Sequence, residues 1–262
     1  MATILRLEWL KTKRTPLRPL AFAFPLLYAA LILWYYSRWE ITPEKQLSLF
    51  LTFFEGWTIL VIPVGIGILS GFMVHQEELA GNFQGFLGSR RPRSQLFFGK
   101  LAILLFLITA STLTATSALI LGFKLIQDVL IAWPIFLTAT LMALVGSLPL
   151  SAIHYWISFS WGFGPSIGVG GVGLLIAALM ATSIGDTIWP YVPWAWPVRL
   201  PLLAGAYLTY LPGMDSPPDV IASGKIIRLS LQGLISSTIT SLVMLGGGMI
   251  WFARWEGRKK TD

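Results

Sequence analysis

Residues 75–100, HQEELAGNFQGFLGSRRPRSQLFFGK, are the longest markedly polar run lying between two strongly apolar ones. The run opens with Glu77 and Glu78 and closes with Arg90, Arg91, Arg93 and Lys100. Between these charges Leu79, Phe83, Phe86 and Leu87 recur at i, i+4, i+7 and i+8, the spacing of one apolar helix face. Two acids at the start suit the positive end of a helix, and Pro92 halts any helix inside the basic end. The pattern predicts a short amphipathic helix wedged between two membrane spans. Its apolar face suits a groove on a soluble partner, and its bases suit anionic lipid or that partner.

Working outward, the composition is that of an integral membrane protein. The chain of 262 residues is 55% hydrophobic and 12% charged, about half the charge of a soluble domain, roughly 25%. There is no cysteine, so neither a disulfide framework nor a thiolate metal site can form, and two histidines (His75, His154) make no metal site on their own. No metal or cofactor is expected. The net charge of +7 is not spread as a nucleic-acid footprint. Of 19 lysines and arginines, 13 fall in three places that abut apolar runs: the N-terminus, residues 90–100, and the C-terminus. That asymmetry is the positive-inside signature, and it puts both termini and the polar stretch in the cytoplasm. No small-residue cleavage site closes the first apolar run, so no signal peptide is expected.

Uncharged runs of 19, 21, 23, 57 and 25 residues separate successive charges. A span needs about 20 residues, so the 57-residue run holds two, with a turn near Ser158–Pro165. The expected architecture is an all-α integral membrane protein with six transmembrane helices, near 19–37, 56–75, 101–123, 130–157, 165–185 and 229–253. An interfacial helix over about 2–14, a coupling segment over 76–99 and an external segment over 186–228 complete one transmembrane domain. The external segment holds seven of the sixteen prolines and the core Trp189-Pro-Tyr-Val-Pro-Trp-Ala-Trp-Pro197. Prolines prevent a continuous helix there, and the rings favour the membrane interface, so a re-entrant or surface-lying element is expected.

Other motifs mostly exclude functions. Gly168, Gly170 and Gly173 match G-x-G-x-x-G, but no strand precedes them, so close helix packing is expected in place of dinucleotide binding. Gly67 with Gly71 and Gly164 with Gly168 read the same way. No G-x-x-x-x-G-K-[ST] occurs, so this chain binds no ATP through a P-loop. Glu55, toward the outer end of the second span, is an ionisable group at membrane depth. Thr109, Thr112 and Thr116 form a hydroxyl stripe that either faces a substrate path or bonds helix carbonyls.

Glu78-x-x-Gly81, the apolar pair Phe86-Leu87, the basic turn with Arg93, and Leu96-Phe97-Phe98-Gly99-Lys100 together resemble the coupling segment of ABC-2 type transporter permeases. Here Pro92 follows the first bases of the turn, where the family often has a proline just before it. Glu8-x-x-Lys11-x-Lys13-Arg14-Thr15 and Pro193-Trp194-Ala195-Trp196-Pro197 are similar to segments of the permease subunits of lantibiotic immunity transporters. The resemblance implies a non-enzymatic half-transporter in the bacterial plasma membrane. Its expected partners are cytoplasmic ABC ATPase subunits, a second permease (identical or homologous), membrane lipids, and a peptide or lipid-like substrate, with no nucleic acid. It implies that Glu77, Glu78, Leu79, Gly81, Phe83, Phe86, Leu87, Arg90, Arg91 and Arg93 couple to the ATPase, and that Glu55, Trp189, Trp194 and Trp196 shape an outer gate. The implied cargo is a hydrophobic or cationic antimicrobial peptide. The alternatives are an exporter of drugs or lipids, or a non-transporting assembly or sensor protein.

Overall fold

A computed structural model describes residues 2–258 except 90 and 212. Regular structure among the described residues is entirely helical. The helices are α1 (Ala2–Lys11), α2 (Leu17–Tyr36), α3 (Pro43–Glu55), α4 (Ile62–Leu79), α5 (Gln84–Leu87), α6 (Arg93–Gln127), α7 (Trp133–Trp161), α8 (Phe163–Ala181), α9 (Trp196–Gly205), α10 (Asp219–Ala222) and α11 (Lys225–Ala253). A π-helix over Gly56–Val61 joins α3 to α4, so Pro43–Leu79 is one helix of 37 residues. Six helices are long and apolar enough to cross a membrane: α2, the joined α3–α4, α6, α7, α8 and α11. The expected all-α, six-span architecture is therefore the observed one.

The second and third spans start earlier than the charge pattern predicts. Thr42 caps α3 by accepting from the Lys45 N–H, and Pro43 sits in the first turn, where its missing N–H is harmless. The helix then runs through Glu55 without a break. Pro63 supplies the reason for the π turn: its ring opposes the carbonyl four residues back, and the wider register accommodates the misfit. α6 likewise starts at Arg93 and carries Lys100 inside the bundle. At 37 and 35 residues these helices are about 55 and 52 Å long, well beyond the roughly 30 Å hydrocarbon core.

α7 is the central helix, packed against α4, α6, α8, α9 and α11. Small residues set its neighbours' spacing. A Cβ on Gly67 of α4 would sit 2.7 Å from the Ser166 carbonyl oxygen of α8, so the two backbones touch. The Thr stripe turns inward: Thr112 and Thr116 donate to the Ile108 and Thr112 carbonyls, and Thr116 meets Thr140 of α7 at 2.7 Å. α11 shows most of its surface, including Ile235, Ile239 and Leu242.

The segment between α8 and α11 is a broken run folded into the bundle. Short 3-10 turns at Ser183–Gly185, Trp189–Tyr191 and Pro193–Ala195 lead into α9, which packs on α7, α11, α3 and α8. Trp189 and Trp196 are buried in protein and do not float in the headgroup layer as expected. The Trp196 indole N–H donates to the Pro190 carbonyl at 3.1 Å, and Gly146 of α7 admits the Trp196–Pro197 backbone, which a Cβ would meet at 2.7 Å. Arg199 holds the base of this segment by donating to the Met180 and Thr182 carbonyls at the end of α8 and pairing with Asp186 at 2.8 Å.

Candidate coupling site

The end of α4, the start of α6, α1 and the C-terminal tail meet at one end of the bundle, and the polar stretch lies among them. α4 stops at Leu79, where Ala80–Phe83 turn the chain. Gly81, Asn82 and Phe83 all take positive φ, at 116°, 49° and 67°. Glycine and asparagine tolerate that region, but phenylalanine there is strained. The strain is held by burial, since the Phe83 ring packs against Trp255 at 5.0 Å between centroids and lies 1% exposed. This turn breaks the amphipathic helix expected across residues 77–87. Its apolar face is split: Phe83 and Phe86 are buried, Leu87 is half-buried, and Leu79 is 74% exposed. Only α5, four residues long, remains of the expected helix.

Glu77 and Glu78 consequently close a helix instead of opening one, where the dipole disfavours a carboxylate. Cations offset this. The Lys100 ammonium, 1% exposed, donates to Glu77 at 2.8 Å, to Glu8 at 2.6 Å and to the Met73 carbonyl at 3.2 Å. Lys11 donates to Glu8 at 2.7 Å and to Glu77 at 2.5 Å. Two acids and two bases thus form one neutral, largely buried cluster that clamps α1 to α4 and α6. Burial works to lower the Lys11 pKa, yet the carboxylates of Glu8 and Glu77 outweigh it and hold the value above the ordinary lysine range. Glu78 is shared between His75 at 2.9 Å and Arg258 at 2.6 Å, which ties down the C-terminal tail.

Phe86 lies directly on the cluster, its ring centroid 5.4 Å from the Lys100 ammonium and 5.5 Å from that of Lys11. Behind it stand Phe159 of α7, at 6.2 Å, and Phe252 of α11, at 6.2 Å. Phe83 and Phe86 thus connect the loop after α4 to the Lys11–Lys100 cluster and to Phe159 of α7 and Phe252 of α11. Glu77, Phe83 and Phe86 are buried, and the accessible surface is Leu79–Asn82, Gln84, Gly85, Gly88, Arg91 and Pro92. Arg93 begins α6, partly buried, and Arg90 lies outside the described residues. Glu8, Lys11 and Arg258 are the members that residues 75–100 by themselves do not reveal, and the burial of Lys100, which is in that stretch, follows only from Glu8 and Glu77. Their signal was a lysine three residues from Glu8, and a lysine inside an apolar run, which demands a partner.

The four residues expected at the other end do not converge. Trp189 presses on Gly233 of α11, and Trp194 presses on Gly173 of α8. Trp196 is packed on α7 as described, and Glu55 is half-exposed at the junction of α3 and the π-helix.

The described residues form an all-helical protein with six helices long and apolar enough to cross a membrane, and α1 and Arg258 meet at the cluster end, the layout of a membrane-embedded helical bundle. The sequence model of the ABC-2 family transporter protein family matches residues 4–177, and the chain belongs to that family. It is a multi-pass protein of the bacterial plasma membrane, and its family implies ABC ATPase partners. No curated protein and no solved structure matches the chain.

Proposed function

We propose that the chain is the permease subunit of an exporter, with both termini and residues 80–92 in the cytoplasm, where separate ATPase subunits push on that loop. The observation that carries this reading is the Glu8–Lys11–Glu77–Lys100 cluster with Phe86 seated on it. It joins an exposed loop to four membrane helices, as a part that receives motion must. The positive-inside asymmetry supports the orientation, and a second permease, identical or homologous, completes the pair. The cargo we infer is a hydrophobic or cationic antimicrobial peptide taken from the membrane and released outside, on the strength of Glu8-x-x-Lys11-x-Lys13-Arg14-Thr15 and Pro193-Trp194-Ala195-Trp196-Pro197. Residues 189–197 then brace the outer end. Deleting the chain in its native host should raise sensitivity to such a peptide, and restoring it should reverse the effect. Unchanged sensitivity defeats the peptide reading. A lipid-like cargo is the second reading, favoured by the apolar cleft described next.

A further inference from the structure

Between α2, α4 and α6 lies a cavity of about 480 Å³, lined by Leu20, Leu31, Leu60, Ile68, Ile108 and their neighbours. A cavity of roughly 150 Å³ holds benzene, six carbons, so by proportion this one takes on the order of 15–20 carbons. Leu20 and Leu31 are both in its wall, eleven residues apart on one helix, or about 16 Å along the axis. That is roughly half of the 30 Å hydrocarbon core, the depth of one leaflet. Leu31 and Leu60 on its rim are more than half exposed, on helices long and apolar enough to cross a membrane, so the opening lies where lipid chains can reach it.

Three of the polar groups in the wall are already engaged. The Trp57 indole N–H donates to Thr112 Oγ1 at 3.3 Å, Thr112 donates to the Ile108 carbonyl, and the Tyr28 hydroxyl donates to the Phe53 carbonyl at 2.8 Å. Such a wall offers little to a peptide backbone. Gly65 adds an independent observation. It lies inside α4, where glycine costs about 1 kcal/mol against alanine. Unlike Gly67, it has no helix pressed on it: an added Cβ would meet only Val61, at 4.0 Å. Packing does not require this glycine, and the missing side chain leaves room in the cleft. The π-helix forms the adjoining wall, and π turns recur at functional sites.

We propose that this cleft binds one acyl chain of a membrane lipid, entering sideways from the bilayer. Binding stands independently of the exporter reading, and only a role in transport rests on it.

The test reconstitutes the full chain in phosphatidylglycerol–phosphatidylcholine vesicles carrying a diazirine on the acyl chain, with labelled residues mapped by mass spectrometry. Label is expected to concentrate on residues 57–69 and on Leu20–Leu31. It should fall about tenfold in Gly65→Phe, the equivalent of two displaced methylenes, and stay unchanged in Val172→Phe on the exposed face of α8. Label spread evenly over the exposed faces of α2 and α6, or undiminished in Gly65→Phe, overturns the proposal. So does efficient disulfide linkage of two copies through Leu60→Cys in this cysteine-free chain, since a second copy would then fill the rim. If the cleft is labelled but the ATPase-loaded vesicles export nothing, the exporter reading fails and the lipid site stands. If they export while the cleft stays unlabelled, the reverse holds.

Discussion

Replacing Lys100 by Met keeps most of the side-chain volume and removes the charge that holds α1, α4 and α6 together. Three contacts disappear, to Glu8 at 2.6 Å, Glu77 at 2.8 Å and the Met73 carbonyl at 3.2 Å. Lys11 stays, but it is 40% exposed and must then balance two carboxylates that are each under a tenth exposed. Breaking a buried pair by removing one partner costs about 3–5 kcal/mol, because the other charge is left uncompensated. For a chain of this size, taking about 2–4 °C per kcal/mol, the melting midpoint should fall by roughly 6–20 °C. Fluorescence-detected unfolding in lipid nanodiscs reads this directly. The double variant Lys100→Met with Glu77→Gln removes one charge of each sign, so its midpoint should lie above that of Lys100→Met alone. A drop of less than about 2 °C in the single variant, or simple additivity in the pair, refutes the cluster as a clamp.

The same geometry makes further predictions. Phe83→Asp should lower the midpoint strongly, since losing a buried ring alone costs about 3–5 kcal/mol, whereas Leu79→Glu should leave stability unchanged and weaken ATPase association in a pull-down. Gly233→Leu drives a side chain into Trp189 and Leu200, where even a Cβ would sit at 2.8 Å, and should open residues 183–209 to protease. The raised Lys11 pKa gives a pH signature. The contribution is fully present below the ordinary lysine value near 10.4 and is lost as pH rises through the higher folded value. Amide exchange of α1, corrected for its intrinsic pH dependence, should therefore be flat from about pH 6 to pH 10 and accelerate only above that.

The six spans were legible because uncharged runs of span length separate the charges, and hydrocarbon forbids much else. Their ends were not, for a definite reason. Charge counting treats each ionisable residue as a boundary, yet Lys100 lies inside α6 because two carboxylates reach it, and Glu55 sits within a continuous helix. The polar stretch between the second and third spans was legible, but its internal geometry was misread. Helical spacing from Leu79 to Leu87 is real in the sequence, but Gly81-Asn82 permits a left-handed turn that the burial of Phe83 then enforces. The two acids were assigned to a helix start because acids suit the positive end of a helix dipole, whereas their partners Lys11 and Arg258 lie far off in the chain. The broken segment before α11 was visible in its prolines and tryptophans. Its burial depended on Gly146 and Gly233, whose fit to Trp196 and Trp189 only the packed structure displays.

The central claim is that the loop over residues 80–92 receives the motion of a separate ATPase. Affinity purification of the full chain from native membranes tests it most directly, comparing wild type with Gly85→Trp, which adds bulk to the accessible loop surface where a Cβ has open space, and with Val172→Phe as control. The account predicts that an ABC ATPase co-purifies with wild type and with Val172→Phe and is lost from Gly85→Trp at unchanged melting midpoint. An ATPase retained equally in all three, or absent from wild type, contradicts it.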